Sequence, residues 1–219
     1  MMIADASVWI NLVATGAPHR ILQALPWPLA ITDVALDELD RGRPKGRRSA
    51  DEVVALIHMG LSEVVPLVSE DEALFLSLVA GAASQTLDDG EAATLACAVR
   101  LGAGVVIDER KATSLAGLRF AALEVRSTCD LLLGPNVRSA LGGAGLGDAL
   151  FGALIGARMR VSDDHVPTVI NLIGDRAEAC LSIPARFRTQ GGVSKDQLRA
   201  AVGKVGDRAE GVESELRGT

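Results

Sequence analysis

Residues 86–112, TLDDGEAATLACAVRLGAGVVIDERKA, place Asp88, Asp89 and Glu91 ahead of an alanine-rich apolar run and Asp108 and Glu109 behind it. Two further acids stand out: Asp5 directly after MMIA, and Glu38 in DELDRG. Clustered carboxylates repel and raise one another's pKa, so they persist mainly where a hard cation neutralises them. One or two Mg²⁺ or Mn²⁺ ions, held by carboxylates and waters, would keep positions open for a phosphate oxygen. Such ions polarise a phosphoryl group, supply hydroxide from a bound water and stabilise a leaving oxyanion, and no histidine has to act as base. The Asp88-x-x-Glu91 spacing also has a purely local reading. An acid three residues before a glutamate, ahead of an apolar run, is a capping box that satisfies the free amides of a helix start.

The surrounding elements decide whether these acids can meet. MMIA reads as a strand, and SVWINLVATGA after it as a helix with Trp9, Leu12 and Val13 on one face and Ser7 as its cap. LAIT (29–32) reads as strand and DVALDELDRG as helix; VVPLV (64–68) is a strand weakened by Pro66. SEDEALFLSLVAGA opens with a second capping box, Ser69-x-x-Glu72, and makes a helix. GVVI reads as a buried strand, KATSLAGL as helix, ALEV as strand and TCDLLL as a helix start. Strands and helices taking turns predict a parallel sheet wrapped by helices. In such a sheet, groups at the carboxyl ends of strands and on adjoining helix turns converge on one crevice. Asp5 and Asp108 end strands, Glu38 lies in the helix after LAIT, and Asp88 and Glu91 open the helix before GVVI.

Composition narrows the functional classes. A formal charge of −6 over 219 residues excludes a protein that grips nucleic acid through its overall charge, so such contact needs a local basic patch. DRGRPKGRR supplies one beside Glu38, with Arg41, Arg43, Lys45, Arg47 and Arg48; it either steers a phosphate backbone or is a solvated loop. Aromatics are 3% of the chain, so Trp9 and Trp27 read as core rather than as base-stacking platforms. Cys97, Cys129 and Cys180, like His19, His58 and His165, are too scattered to signal zinc or a disulfide framework. No charged leader precedes an apolar segment, and ALFGALIGA is too short to span a bilayer; the expectation is a soluble cytoplasmic protein with no membrane partner.

Four stretches together resemble PIN-domain nucleases: IADAS (3–7), DELDRG with Glu38, LDDGEAATLACA, and VVIDERKA. The resemblance runs over residues 2–133 and implies a PIN-like three-layer α/β/α fold with a central, mostly parallel sheet. It also implies Mg²⁺- or Mn²⁺-dependent hydrolysis of RNA, often by the toxin of a toxin–antitoxin pair; RNA is then the expected substrate, a small antitoxin and a second copy in a homodimer are candidate partners, and the sequence leaves the oligomeric state open. Carried over residue by residue, the metal-binding acids are Asp5, Glu38, Glu91 and Asp108, with Asp88 either a further ligand or a cap. The family often has Asp where this chain has Glu91, which leaves the third ligand between Asp88 and Glu91. Ser7 would orient Asp5 or a metal-bound water, or simply cap its helix, and Glu109 reads as a solvated neighbour.

Three other classes share part of this pattern. An aspartate-based phosphatase expects a second Asp two residues after the first, where this chain has Ser7; a receiver domain expects an early acidic pair. A non-catalytic RNA- or partner-binding module would not require all four acids. The domain reading is a nuclease core at 1–134, a glycine-rich and helical extension packed on it at 135–189, and a helical or disordered tail at 190–219. Within the extension, HVPTVINLIG reads as a helix interrupted early by Pro167.

Overall fold

The structure is a computed structural model that describes residues 1–42, 49–82 and 86–188. Arg43, Lys45, Arg47 and Arg48 of the basic stretch, and the 190–219 tail, lie outside the described residues.

Among the described residues, five parallel strands form one sheet in the order β3-β2-β1-β4-β5. They are β1 (Met2–Ala4), β2 (Leu29–Thr32), β3 (Ser62–Val65), β4 (Gly104–Val106) and β5 (Val125–Arg126). Strand β1 is central, with Ile3 opposite Ala30 on one side and Val105 on the other. The three central strands are apolar and fully buried because helices cover both faces, as expected of a parallel sheet.

The period-2 alternation sorts the side chains between two cores. Met2, Ala4, Leu29, Ile31 and Val106 point to one face and Ile3, Ala30, Val105 and Ile107 to the other. The first face is covered by α1 (Ala6–Ala14), α2 (Pro18–Ala24), α3 (Asp33–Asp40) and α4 (Ser49–His58). The second carries α5 (Glu72–Val79), α6 (Asp89–Leu101) and α7 (Arg110–Arg119). The chain therefore winds one way from β1 and the other way from β4, and the winding reverses between these two strands. Ligands of open α/β sheets bind outside the carboxyl ends of the strands at such a switch point.

Helix α8 (Thr128–Leu132) follows β5, and α9 (Pro135–Gly156), α10 (Val166–Ile173) and the short α11 (Ala185–Arg188) complete the described chain. Val137, Leu146, Leu150, Leu154, Val169 and Ile173 join the same core as β1 and α1. By length and composition α9 could cross a membrane. It is, however, broken at Gly142 (φ 68°, ψ 170°), and its inner side is packed against α1, α2 and α10.

Several local expectations shift. Strand β3 begins at Ser62 and ends at Val65, since Pro66 has no N–H to continue the ladder; its carbonyl instead accepts from Arg100. Ser69 lies in a 3₁₀ turn and does not cap: buried Asp71 accepts from the Val68 amide and from Arg100 Nε at 2.8 Å. Pro167 sits in the first turn of α10, where its missing N–H costs nothing, and does not interrupt the helix.

Candidate active site

Asp5 is the first residue past β1, and its amide still bonds to the Val106 carbonyl of the neighbouring strand. Its side chain, not that of Ser7, caps α1: Oδ2 accepts from the Ser7 amide (3.2 Å) and the Ser7 hydroxyl (2.8 Å). Ser7 thus fixes Asp5 and leaves Oδ1 facing the crevice. Burial raises the pKa of Asp5, with Asp88 adding to the rise and the bonds from Ser7 opposing it.

Asp88 and Glu91 form the expected capping box of α6. The Glu91 amide donates to Asp88 Oδ1 at 2.8 Å, and the Asp88 amide reaches Glu91 Oε2 at 3.4 Å. The first bond is short and the second marginal, so Asp88 is committed to the cap more firmly than Glu91 is. Glu91 is buried, and burial, then Asp88 and Asp5, push its carboxyl up to about 7. Glu38 projects from α3 toward the same place. Its pKa is raised by desolvation and by the charges of Asp5 and Asp88.

Gly90 shows how close these groups come. A Cβ there would lie 2.6 Å from Glu38 Oε2, 3.5 Å from Asp5 Oδ1 and 3.7 Å from Asp88 Oδ1. Three carboxylates from three separated segments thus look onto one point above the first turn of α6. A side chain in that turn would push the Glu38 carboxylate away from this point.

Asp108 follows β4, beside Asp5 at the switch point, but has its own partners. Oδ1 accepts from the Thr128 amide (2.8 Å); Oδ2 accepts from Asn11 Nδ2 (2.7 Å) and the Thr128 hydroxyl (2.5 Å). Burial raises its pKa against the pull of these three donors. A carboxylate has roughly four acceptor sites, so one remains open. Glu109 is not merely solvated: it caps α7 by accepting from the Ala112 amide at 2.9 Å. Arg41 ends α3 on the exposed surface and bonds back to the Asp37 carbonyl. Trp9 is fully buried and Trp27 partly so, packed against the core around α1.

Asn11, Thr128 and Gly90 were not legible as site residues in the sequence. The first had a signal, a lone amide in an otherwise apolar helix; the last had another, a helix-disfavouring glycine inside a first turn.

Among the described residues no three His, Cys, Asp or Glu side chains are drawn together tightly enough to enclose an ion as they stand. The donor set nonetheless fits a hard divalent cation: oxygen donors only, three with raised pKa from burial and mutual repulsion, around a point kept open by a glycine.

A sequence profile of the PIN domain matches residues 1–175, running past the nuclease-like motifs into α10. The chain belongs to the PIN-domain family. No curated protein and no solved structure gives a match. PIN domains are generally nucleases, and those nucleases usually use divalent metal ions.

Proposed function

We propose that this PIN domain is a Mg²⁺- or Mn²⁺-dependent endoribonuclease, of the kind that serves as the toxin of a toxin–antitoxin pair. The carrying observation is the convergence of Asp5, Glu38 and Asp88 over Gly90, with Glu91 beside them and Asp108 on the adjacent strand end. Asp5, Glu38 and Glu91 are the residues that would hold the ion. Glu91 is preferred over Asp88 as the third, because Asp88 already spends its short bond on the helix cap, whereas Glu91 is buried beside Asp88 and Asp5, and burial together with these two charges pushes its carboxyl up to about 7.

When bound, the ion supplies Lewis-acid polarisation of the phosphate and a water made acidic enough to attack it. The protein's own groups do the rest. Ser7 holds the Asp5 carboxylate in one orientation. Asn11 and Thr128 fix Asp108, which keeps one acceptor site free to serve as a general base or an ion ligand.

The test is Mn²⁺-dependent cleavage of single-stranded RNA. Asp5→Asn keeps a good helix cap but gives up the charge that holds an ion, so it should fold and lose at least about a hundredfold in rate. Full activity in Asp5→Asn would exclude the metal mechanism.

A further inference from the structure

A chain with a net charge of −6 needs a local cationic surface to hold RNA beside an acidic crevice. Among the described residues such a surface lies on the opposite flank of Asp108 from Glu38. A cavity of about 350 Å³ opens at the carboxyl ends of β4 and β5, with Asp108 in its wall, inside the range of roughly 300–1,000 Å³ typical of small-ligand pockets. Arg110, Arg126 and Arg160 line it, together with the hydroxyls of Ser127 and Ser162.

Among the described residues, two guanidinium groups around the cavity, those of Arg110 and Arg160, form no close ion pair, although the Arg160 charge acts on the nearby Asp108 carboxyl and opposes the rise that burial causes in its pKa. Asp130 is bonded to His165 Nε2 at 2.8 Å and to the Ser127 amide and hydroxyl at 2.7 Å, so His165 and Asp130 answer each other. Arg126 is matched by Glu124 and lies against Trp27. Arg160 donates Nη1 to the backbone carbonyl of Asp108 at 2.8 Å, a neutral acceptor. Arg110 is exposed in the first turn of α7 and has no ion pair among the described residues. Asp164, exposed at the rim, and the carboxylate of Asp108 are the remaining acids.

The backbone is bent to deliver Arg160. Arg158, at φ 55°, is the one non-glycine in a left-handed conformation among the described residues, and it turns the chain out of α9. The Met159 amide then returns to the Ala153 carbonyl, its side chain is buried, and Arg160 is carried to the end of β4. A bulky residue held left-handed is uncommon and costs energy that the surrounding structure must offset.

We propose that this pocket is a phosphate subsite for the RNA strand, in which Arg110 and Arg160 hold the phosphate of a nucleotide neighbouring the bond cut at the acidic crevice. It rests on the ribonuclease reading above. Asp108, shared by the two sites, sets their spacing, and Arg160 ties the strand end that carries Asp108 to the substrate.

The test is binding of a short single-stranded RNA to the full chain in EDTA, where metal-dependent cleavage is absent, read by fluorescence anisotropy across a salt series. Arg110→Gln and Arg160→Gln should each weaken binding several-fold and reduce the slope of log affinity on log salt by about 0.7, one phosphate contact on a single strand. Arg160→Lys should restore most of the slope. Arg119→Gln, at the far end of α7, should change neither quantity. Among the described residues Arg110 makes no hydrogen bond or ion pair with Asp108, so its variant tests the subsite even if Arg160→Gln perturbs the fold. Unchanged affinity and slope in the double variant overturn the subsite, whether or not the wild type cuts RNA. 5′-AMP should bind far more weakly than RNA; equal affinity would make the pocket a mononucleotide site and also overturn it. Loss of RNA binding in the variants, with no cleavage by wild type under Mn²⁺, would leave the subsite standing and refute the nuclease reading alone.

Discussion

The side chain that most constrains the site is one that is missing. Gly90 lets Glu38, Asp5 and Asp88 approach a single point, and an alanine there would put a methyl carbon 2.6 Å from Glu38 Oε2. Glu38 is on the exposed side of α3 and can swing away, so Gly90→Ala should fold, with the helix-favouring alanine offsetting part of the strain. Its apparent Mn²⁺ affinity should nevertheless fall about tenfold or more, measured by titration calorimetry. An unchanged affinity would mean that Glu38 takes no part in holding the ion. The acids of this site were legible because their spacing follows strand ends and a helix start. Their supports were not: Asn11 reaches Asp108 across 97 positions of sequence and Thr128 across 20, and no local pattern encodes which buried donor will meet which acid. Asp5 exposes the same limit, since the serine two residues on looked like the cap and the acid itself performs that role.

At the scale of elements, the alternation of apolar runs made the parallel sheet readable, and the PIN-domain match over residues 1–175 agrees with it. Strand edges were less readable: β3 and β5 lie at the sheet margins, where half-exposed residues blur the apolar pattern. The glycine-rich stretch after residue 134 gave no clear signal because its glycines do different jobs: Gly142 breaks α9, while Gly147 and Gly152 let helices approach. In α9 a Cβ at Gly152 would stand 2.5 Å from the Ala14 carbonyl of α1, and one at Gly147 would stand 2.7 Å from the Leu172 carbonyl of α10. Backbone carbonyls cannot move aside as side-chain tips can. Gly152→Ala should therefore wedge α9 off α1 and destabilise the protein by roughly 1–3 kcal/mol, the usual cost of overpacking, despite alanine's better helix propensity. Because α1 carries Asn11 and is capped by Asp5, the same variant should lose activity at temperatures where it is still folded. Gly143→Ala, in a position with nothing within 4 Å, is the control, and urea denaturation of both variants provides the check. Equal stabilities would show that the two helices are not in close backbone contact.

For the whole molecule, the acid cluster couples folding to both pH and metal. Glu91 has its carboxyl raised from 4.5 to about 7 in the folded state, so between these values the folded chain binds more protons than the unfolded one. Stability without metal must then fall as pH rises through that window, by at most about 1.4 kcal/mol per pH unit, and Asp5 and Glu38, raised in the same direction, add to the trend. An ion bound only by the folded chain opposes it, contributing roughly 2.7 kcal/mol at a hundred times its dissociation constant. Glu91→Gln removes the charge and keeps a residue suited to the capping box, so in EDTA at neutral pH it should melt above wild type, show a flatter pH dependence and gain little from Mn²⁺. Asp108→Asn should behave in the opposite way. Its carboxylate accepts three hydrogen bonds, and an amide nitrogen in place of either oxygen would face a donor, leaving a buried polar group unsatisfied at a cost of about 1–3 kcal/mol. Thermal melts of wild type and both variants, with EDTA and with Mn²⁺ at pH 5 and pH 7, separate the two roles. If Glu91→Gln melts below wild type in EDTA at pH 7, Glu91 is a cap whose charge the fold needs rather than a ligand held ready for an ion.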